Sequence, residues 1–291
     1  MAITTATSAA NKIRFCKSAG GLGAEILDVD FGQPLDDQTF VAVRETWFQH
    51  LVLLFRNQDL TNETLLAFTR RLGQPDVAPP QEQAVCAPPG FPEIMIVSNV
   101  IENGVPIGNL GYAHAPWHTD MCYTARPPMA SMLYAIEAPT SGGETSFMNM
   151  YAVYSALPKS LKSRISDLSV KHDCSYTAAG ELRFGQKPVS DVSQSPGAIH
   201  PLVRVHPDTG RKALYLGRRL NAYVMGLPVQ ESETLLDELW SYTNYSVNTW
   251  RHRWRAGDLV IWDNRCTMHK REAFAPDSRR IMYRTQIKSI A

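Results

Sequence analysis

The chain lacks any stretch of about 18 apolar residues, so it carries no candidate membrane-spanning helix. It also lacks blocks of like charge. Twenty-nine basic and 28 acidic residues leave a formal net charge of +1, which gives no electrostatic case for nucleic acid or an anionic membrane surface as partner. The five cysteines (Cys16, Cys86, Cys122, Cys174, Cys266) are odd in number and scattered, with no Cys-x-x-Cys pair. That pattern argues against a disulfide framework or a structural zinc site and fits a reducing, cytoplasmic compartment. The first ten residues lack the basic start and continuous apolar core of a secretory signal, and residues 1–12 read as a flexible tail. Internal repeats and low-complexity linkers are absent too, so residues 13–291 are expected to form a single domain.

What is present is an ordinary globular composition, 44% hydrophobic and 20% charged. Asp36-Asp37 ahead of Phe40, Val43 and Trp47 predicts a capped amphipathic helix to about His50, and Leu51–Phe55 a short buried strand. Thr61 opens a second helix that ends at Gly73. Residues 74–93 are proline-rich and irregular, residues 93–98 return to strand, and residues 104–116 read as a loop. Strands are expected at 129–135 and 145–150, then a helix over 151–165 broken near Pro158. Residues 174–200 are polar and Gly/Ser-rich; a loop of that length is commonly functional, and Arg183 and Phe184 are its lid candidates. A hairpin over 202–217, a helix over 229–243 and strands at 249–254, 258–262 and 280–288 complete the chain. Many short strands with a few helices outside them suggest an α+β fold built on a β-sandwich or jelly roll.

The sequence His-x-acid occurs twice, as His118-Thr119-Asp120 and as His206-Pro207-Asp208. In the second, Asp208-Thr209-Gly210 has turn chemistry, and the pair reads as part of a hairpin. In the first, a long Gly- and Pro-containing loop precedes the pair. On an extended segment residues 118 and 120 face the same side and can bind one metal. A second, distant histidine, His269, would complete a set of two histidines and one carboxylate on one face of a non-haem iron.

Trp117-His-Thr-Asp120, Gly142-Gly-Glu-Thr145, Trp262-Asp-Asn-Arg-Cys-Thr-Met-His269 and Arg279-Arg-Ile-Met-Tyr-Arg284 together resemble the taurine dioxygenase/2,4-dichlorophenoxyacetate dioxygenase family. Leu22-Gly-Ala-Glu25 with Asp28-Val-Asp30, and the run His200–Pro207, extend the resemblance over nearly the whole chain. It implies a double-stranded β-helix (jelly-roll, cupin-like) core with flanking helices, and dependence on Fe(II), 2-oxoglutarate and O2. By the same resemblance His118, Asp120 and His269 are the iron ligands, and Thr145 and Arg280 hold the distal carboxylate of 2-oxoglutarate. Arg284 stands where family members meet an anionic substrate group. Tyr112, His114 and Tyr123 are further substrate-side candidates, because residues 76–116 show no clear match to relatives.

The implied reaction oxidises 2-oxoglutarate to succinate and CO2 and hydroxylates a small-molecule substrate, with bond cleavage to follow if the hydroxylated carbon bears a heteroatom. Asp120 fills a coordination position that Gly or Ala would leave for chloride, which disfavours halogenation. A larger natural-product intermediate, such as a terpenoid or amino-acid derivative, is an alternative substrate. A catalytically silent ligand-binding relative and a zinc hydrolase are alternatives of other classes. Relatives are commonly homo-oligomers, so a dimer or tetramer is expected.

Overall fold

The computed structural model describes residues 5–7, 13–18, 22–77, 84–244 and 249–289. Its largest element is a nine-stranded sheet in the order Thr5–Thr7, Arg14–Lys17, Ala24–Ile26, Val52–Phe55, Leu259–Asp263, Ala130–Glu137, Ile281–Ile287, Met95–Ser98, Asn109–Leu110. A four-stranded sheet faces it, in the order Thr249–His252, Thr145–Asn149, Thr267–Arg271, Ala115–His118. Three smaller sheets of two or three strands flank these.

The large sheet is buried on both faces, and alternation along its strands sorts the side chains. Leu133, Val260, Trp262 and Met282 turn toward the small sheet, where they meet Phe147 and Met268. Met132, Tyr134, Leu259 and Ile261 turn the other way, onto the helices Asp37–His50 and Asn62–Leu72 through Trp47, Leu65 and Phe68. Burial of both faces is why these strands read as continuous apolar runs and not as an apolar/polar alternation. Both helices begin as their sequences predict: Asp36 accepts from the Thr39 N–H, and Thr61 with Thr64 forms a reciprocal capping box.

Other expected elements also form. The 151–165 segment is two helices, Met150–Ala156 and Lys159–Ile165, separated at Pro158. Val203–Val205 pairs with Lys212–Leu214 as the expected hairpin. Within the tail expected over 1–12, Thr5–Thr7 pairs with Arg14–Lys17; its other residues lie outside those described. Two strands were not legible. Ala115–His118 falls partly in the expected loop, and Thr267–Arg271 has too polar a sequence to declare itself. Among the described residues no helix is long and apolar enough to cross a membrane.

Candidate active site

The two unexpected strands lie side by side, with His118 and His269 as direct cross-strand partners, and Phe147 flanks His269 on its other side. Asp120 follows just beyond the strand end. Its Oδ1 is 3.9 Å from His118 Nε2 and 3.8 Å from His269 Nε2, and one donor atom from each residue lies within 4.8 Å of the others. The sequence pairing of 118 with 120 and the distant 269 therefore converge on one point.

Each of the three is held. His118 Nδ1 sits 2.8 Å from the Pro116 carbonyl, which can only accept, so the Nδ1–H donates and Nε2 keeps its lone pair. The His269 ring packs on Trp262 at 4.9 Å between centroids. Asp120 Oδ2 accepts from the Ser131 hydroxyl at 2.7 Å. Ser131 Oγ in turn receives the side-chain amides of Asn264 at 2.9 Å and Gln286 at 3.2 Å. The Trp262 indole, a pure donor, fixes Asn264 by giving its N–H to Oδ1 at 2.9 Å. With its lone pairs occupied, the Ser131 hydroxyl directs its hydrogen at Asp120 and leaves Oδ1 facing the histidines. Between His118 and Asp120, the Thr119 N–H donates to the Gly217 carbonyl at 2.9 Å.

The protonation states suit a divalent cation. Burial lowers the pKa of His118, and burial with His118 nearby takes that of His269 to about 3, so both rings are neutral near pH 7. Burial alone would raise Asp120, but Arg284, then the two histidines and Ser131, hold it at about 2. Two neutral imidazoles and one carboxylate, with open space on the far side, fit the donor set expected for Fe(II).

That space is a cavity of about 280 Å³ lined by His118, His269, Thr145, Arg280 and Arg284 among others. Thr145 lies directly opposite Arg271, and Phe147 opposite His269, so all four share the inward face of the small sheet. Arg280 is 2% exposed, and its Nε has no partner. Burial, and then the like charge of Arg271, lower its pKa to about 9. No carboxylate of the described residues offsets it. A buried guanidinium facing only another cation is a site for an anion with planar, two-oxygen geometry, and the distal carboxylate of 2-oxoglutarate fits that demand. Arg284 lies nearer the histidines: Nη1 is 3.4 Å from Asp120 Oδ1, Nη2 is 2.8 Å from Met95 Sδ, and Nε is unpartnered.

The other substrate-side expectations divide. Tyr112 lines the cavity, half-exposed at its rim. His114 does not: it is exposed and points away from the lining, because the Ala115–His118 strand turns alternate side chains to opposite sides. Tyr123 is also outside the lining, stacked under the Arg183 guanidinium at 4.6 Å. Of the 174–200 segment, the structure brings Thr177, Ala178, Ala179 and Glu181 over the cavity, whereas Phe184 stands 97% exposed. Arg271, Ser131, Asn264, Gln286 and Trp254 were missed. The only sequence signal for them is a polar or aromatic residue inside an otherwise apolar strand or at its end.

A second cluster of possible metal donors, His206, Asp263 and Cys266, fails the same test. His206 Nδ1 accepts the N–H groups of Asp208 and Thr209, and Nε2 bonds Asp263 at 2.9 Å, so neither nitrogen is left for an ion. Arg265 bridges Asp263 and Asp208 at 2.6 and 2.7 Å, tying the hairpin down. The second His-x-acid motif is thus structural.

The sequence profile of the taurine catabolism dioxygenase TauD, TfdA family matches residues 14–286. Pentalenolactone F synthase of Streptomyces avermitilis is 32% identical over 275 residues, covering 90% of this chain and 89% of that protein. Alpha-ketoglutarate-dependent 2,4-dichlorophenoxyacetate dioxygenase of Cupriavidus pinatubonensis is 32% identical over 271 residues, covering 90% and 92%. A taurine dioxygenase structure from Burkholderia xenovorans superposes with a TM-score of 0.77 at 28% identity, covering 100% of this chain and 90% of that one. Coverage of this extent, on a chain whose cavity joins a three-donor cluster to a buried arginine, shows that the protein belongs to the TauD/TfdA family and is a dioxygenase dependent on Fe(II), 2-oxoglutarate and O2.

Proposed function

We propose that this dioxygenase hydroxylates a small organic substrate carrying an anionic group, through an iron held by His118, Asp120 and His269. Bound there, Fe(II) supplies the coordination positions at which 2-oxoglutarate and O2 react to give succinate, CO2 and a hydroxylated product. The chain's own residues do the rest. Thr145 and Arg280 hold the distal carboxylate of 2-oxoglutarate, which fixes how far its reactive end reaches toward the histidines. Arg284 offers a guanidinium on the substrate side, where it can orient an anionic group while it neutralises Asp120. Apolar walls from Val97, Leu133 and Trp262 exclude water from the reacting centre. The observation that carries the reading is Arg280, fully buried without a carboxylate partner in the same cavity as the His/Asp/His cluster.

The cavity of about 280 Å³ sits near the lower end of ligand pockets and must hold co-substrate and substrate together, which favours a small substrate. The alternative, a larger natural-product intermediate, rests on the similarity to pentalenolactone F synthase. The reading also takes residues 13–291 as one domain whose two facing sheets form a double-stranded β-helix, working in the cytoplasm as a homo-oligomer. Five free cysteines support the reducing compartment.

The test is anaerobic titration with Fe(II) and 2-oxoglutarate, followed by a succinate-release screen of sulfonates, aryloxyalkanoates and alkyl sulfates. A visible charge-transfer band is expected on adding both. Arg280→Gln should weaken 2-oxoglutarate about a hundredfold, the loss of a buried charge-assisted pair. A His118→Ala protein that still forms succinate would overturn the ligand assignment.

A further inference from the structure

Trp254 lies just past the end of the Thr249–His252 strand, 5% exposed, and its indole N–H donates to Thr145 Oγ at 2.9 Å. Thr145 pairs directly with His252 across the sheet, so Trp254 approaches it on the diagonal, within reach of a long aromatic side chain. The indole is fixed in turn. Its ring meets the edge of His252 at 4.6 Å and 82°; His252 lies 3.1 Å from Asp258, which Arg56 pairs at 2.6 Å.

An indole N–H can only donate, and a hydroxyl has one hydrogen and two lone pairs. The contact therefore forces Thr145 Oγ to accept on that side, leaving its own hydrogen to find an acceptor elsewhere. Among the described residues none is hydrogen-bonded to it. Thr145 and Arg280 both line the cavity, and every nitrogen of Arg280 is likewise a donor.

We infer that Trp254 is a positioning residue for 2-oxoglutarate: it occupies the acceptor side of the Thr145 hydroxyl and so delivers the hydroxyl hydrogen, beside Arg280, to the distal carboxylate. The inference rests on the proposed co-substrate site. A threonine free to rotate would spend part of its time presenting a lone pair to that carboxylate, which is repulsive. With the indole in place, only the donating orientation is left, and the ordering is built into the protein before the ligand arrives.

The experiment compares 2-oxoglutarate with 2-oxopentanoate, which has a methyl group in place of the distal carboxylate, by calorimetry on the Mn(II)-loaded full chain without O2. Trp254→Phe keeps an aromatic ring against His252 and removes the donor. It should weaken 2-oxoglutarate about five- to tenfold, the scale of one hydrogen bond, and leave 2-oxopentanoate unchanged. In turnover the KM for 2-oxoglutarate should rise while kcat at saturation holds. In a Thr145→Val background the same change should have no further effect on either ligand. Equal weakening of both ligands, no weakening of 2-oxoglutarate, or full weakening in the Thr145→Val background would each overturn the role of Trp254. Failure of the underlying site shows differently: Arg280→Gln would then bind the two ligands with unchanged preference. If Trp254→Phe does not fold, replacing Trp254 by benzothienylalanine, a bicyclic isostere without the N–H, carries the same comparison and the same outcomes.

Discussion

Ser131 shows how much of the site is decided one shell away from the expected ligands. Its hydroxyl is the only side-chain donor among the described residues to reach Asp120 Oδ2, and two amides hold it in that orientation. Removing it frees the carboxylate to rotate and strands two buried N–H groups. Ser131→Ala should therefore lower divalent-metal affinity about 10- to 100-fold, read by competition with a chelating dye, and cost about 1–3 kcal/mol of stability, read by urea unfolding. A metal affinity equal to that of the unmodified protein would show that Asp120 needs no such support. The sequence offered no sign of this. A serine among Ala130, Met132 and Leu133 reads as a tolerated small residue until its neighbours are known. His118, Asp120, His269 and Arg280 were legible because several motifs kept one order, which made each more specific than its own residue type. His114 and Tyr123 were drawn in only by nearness in sequence, and alternation along a strand is enough to turn such a neighbour away.

At the scale of elements, the turn carrying His118 to Asp120 depends on a segment that sequence inspection treats as the end of a hairpin. Gly217 has φ +61°, and a Cβ there would lie 2.3 Å from the His172 ring and 3.1 Å from Cys122 Cβ. Its carbonyl receives the Thr119 N–H, and Arg218 next to it makes a bridge with His118. Gly217→Ala must shift either His172 or the backbone that holds the metal-binding turn. We expect a loss of about 2 kcal/mol or more together with weaker metal binding, measured by thermal unfolding with and without Mn(II). Loss of stability with metal affinity intact would mean the strain relaxes toward His172 alone. Helices were legible through caps, and central strands through apolar runs. The strands Ala115–His118 and Thr267–Arg271 were not, because they spend their inward positions on His118, His269 and Arg271 and so lose the apolar signature that marks a strand.

At the scale of the molecule, burial of titratable groups ties stability to pH. His172 is 1% exposed with neither ring nitrogen partnered, and burial, with His200, Arg218 and Arg204 adding to it, lowers its pKa to about 3. An unfolded chain takes up a proton at this histidine below about pH 6.5, and the folded chain does not. The contribution is complete above 6.5 and is lost as pH falls from there toward 3. Between pH 6.5 and 5.5 the cost is about 1 kcal/mol. Urea unfolding across that range should show the slope in the parent protein and a shallower one in His172→Phe; equal slopes would assign the acid sensitivity to other groups. Asp263 acts lower. Arg265 and His206 hold its carboxyl below the usual range against the opposing effect of burial, so its stabilisation is full above about pH 4 and disappears beneath that.

Arg280 and Arg284 stand four residues apart at and within one strand, and both turn toward the cavity. Between them, Met282 faces the same core while Ile281 and Tyr283 face elsewhere. An in-frame loss of a single codon between the two would leave them three apart and force one onto the opposite side of the sheet. Such a protein would still contain every residue type of the site, and a motif search tolerant of one gap would pass it as intact. It should nonetheless fail to bind either 2-oxoglutarate or the anionic end of its substrate. The spacing of these two arginines, counted in parity, therefore says more about competence than their mere presence does.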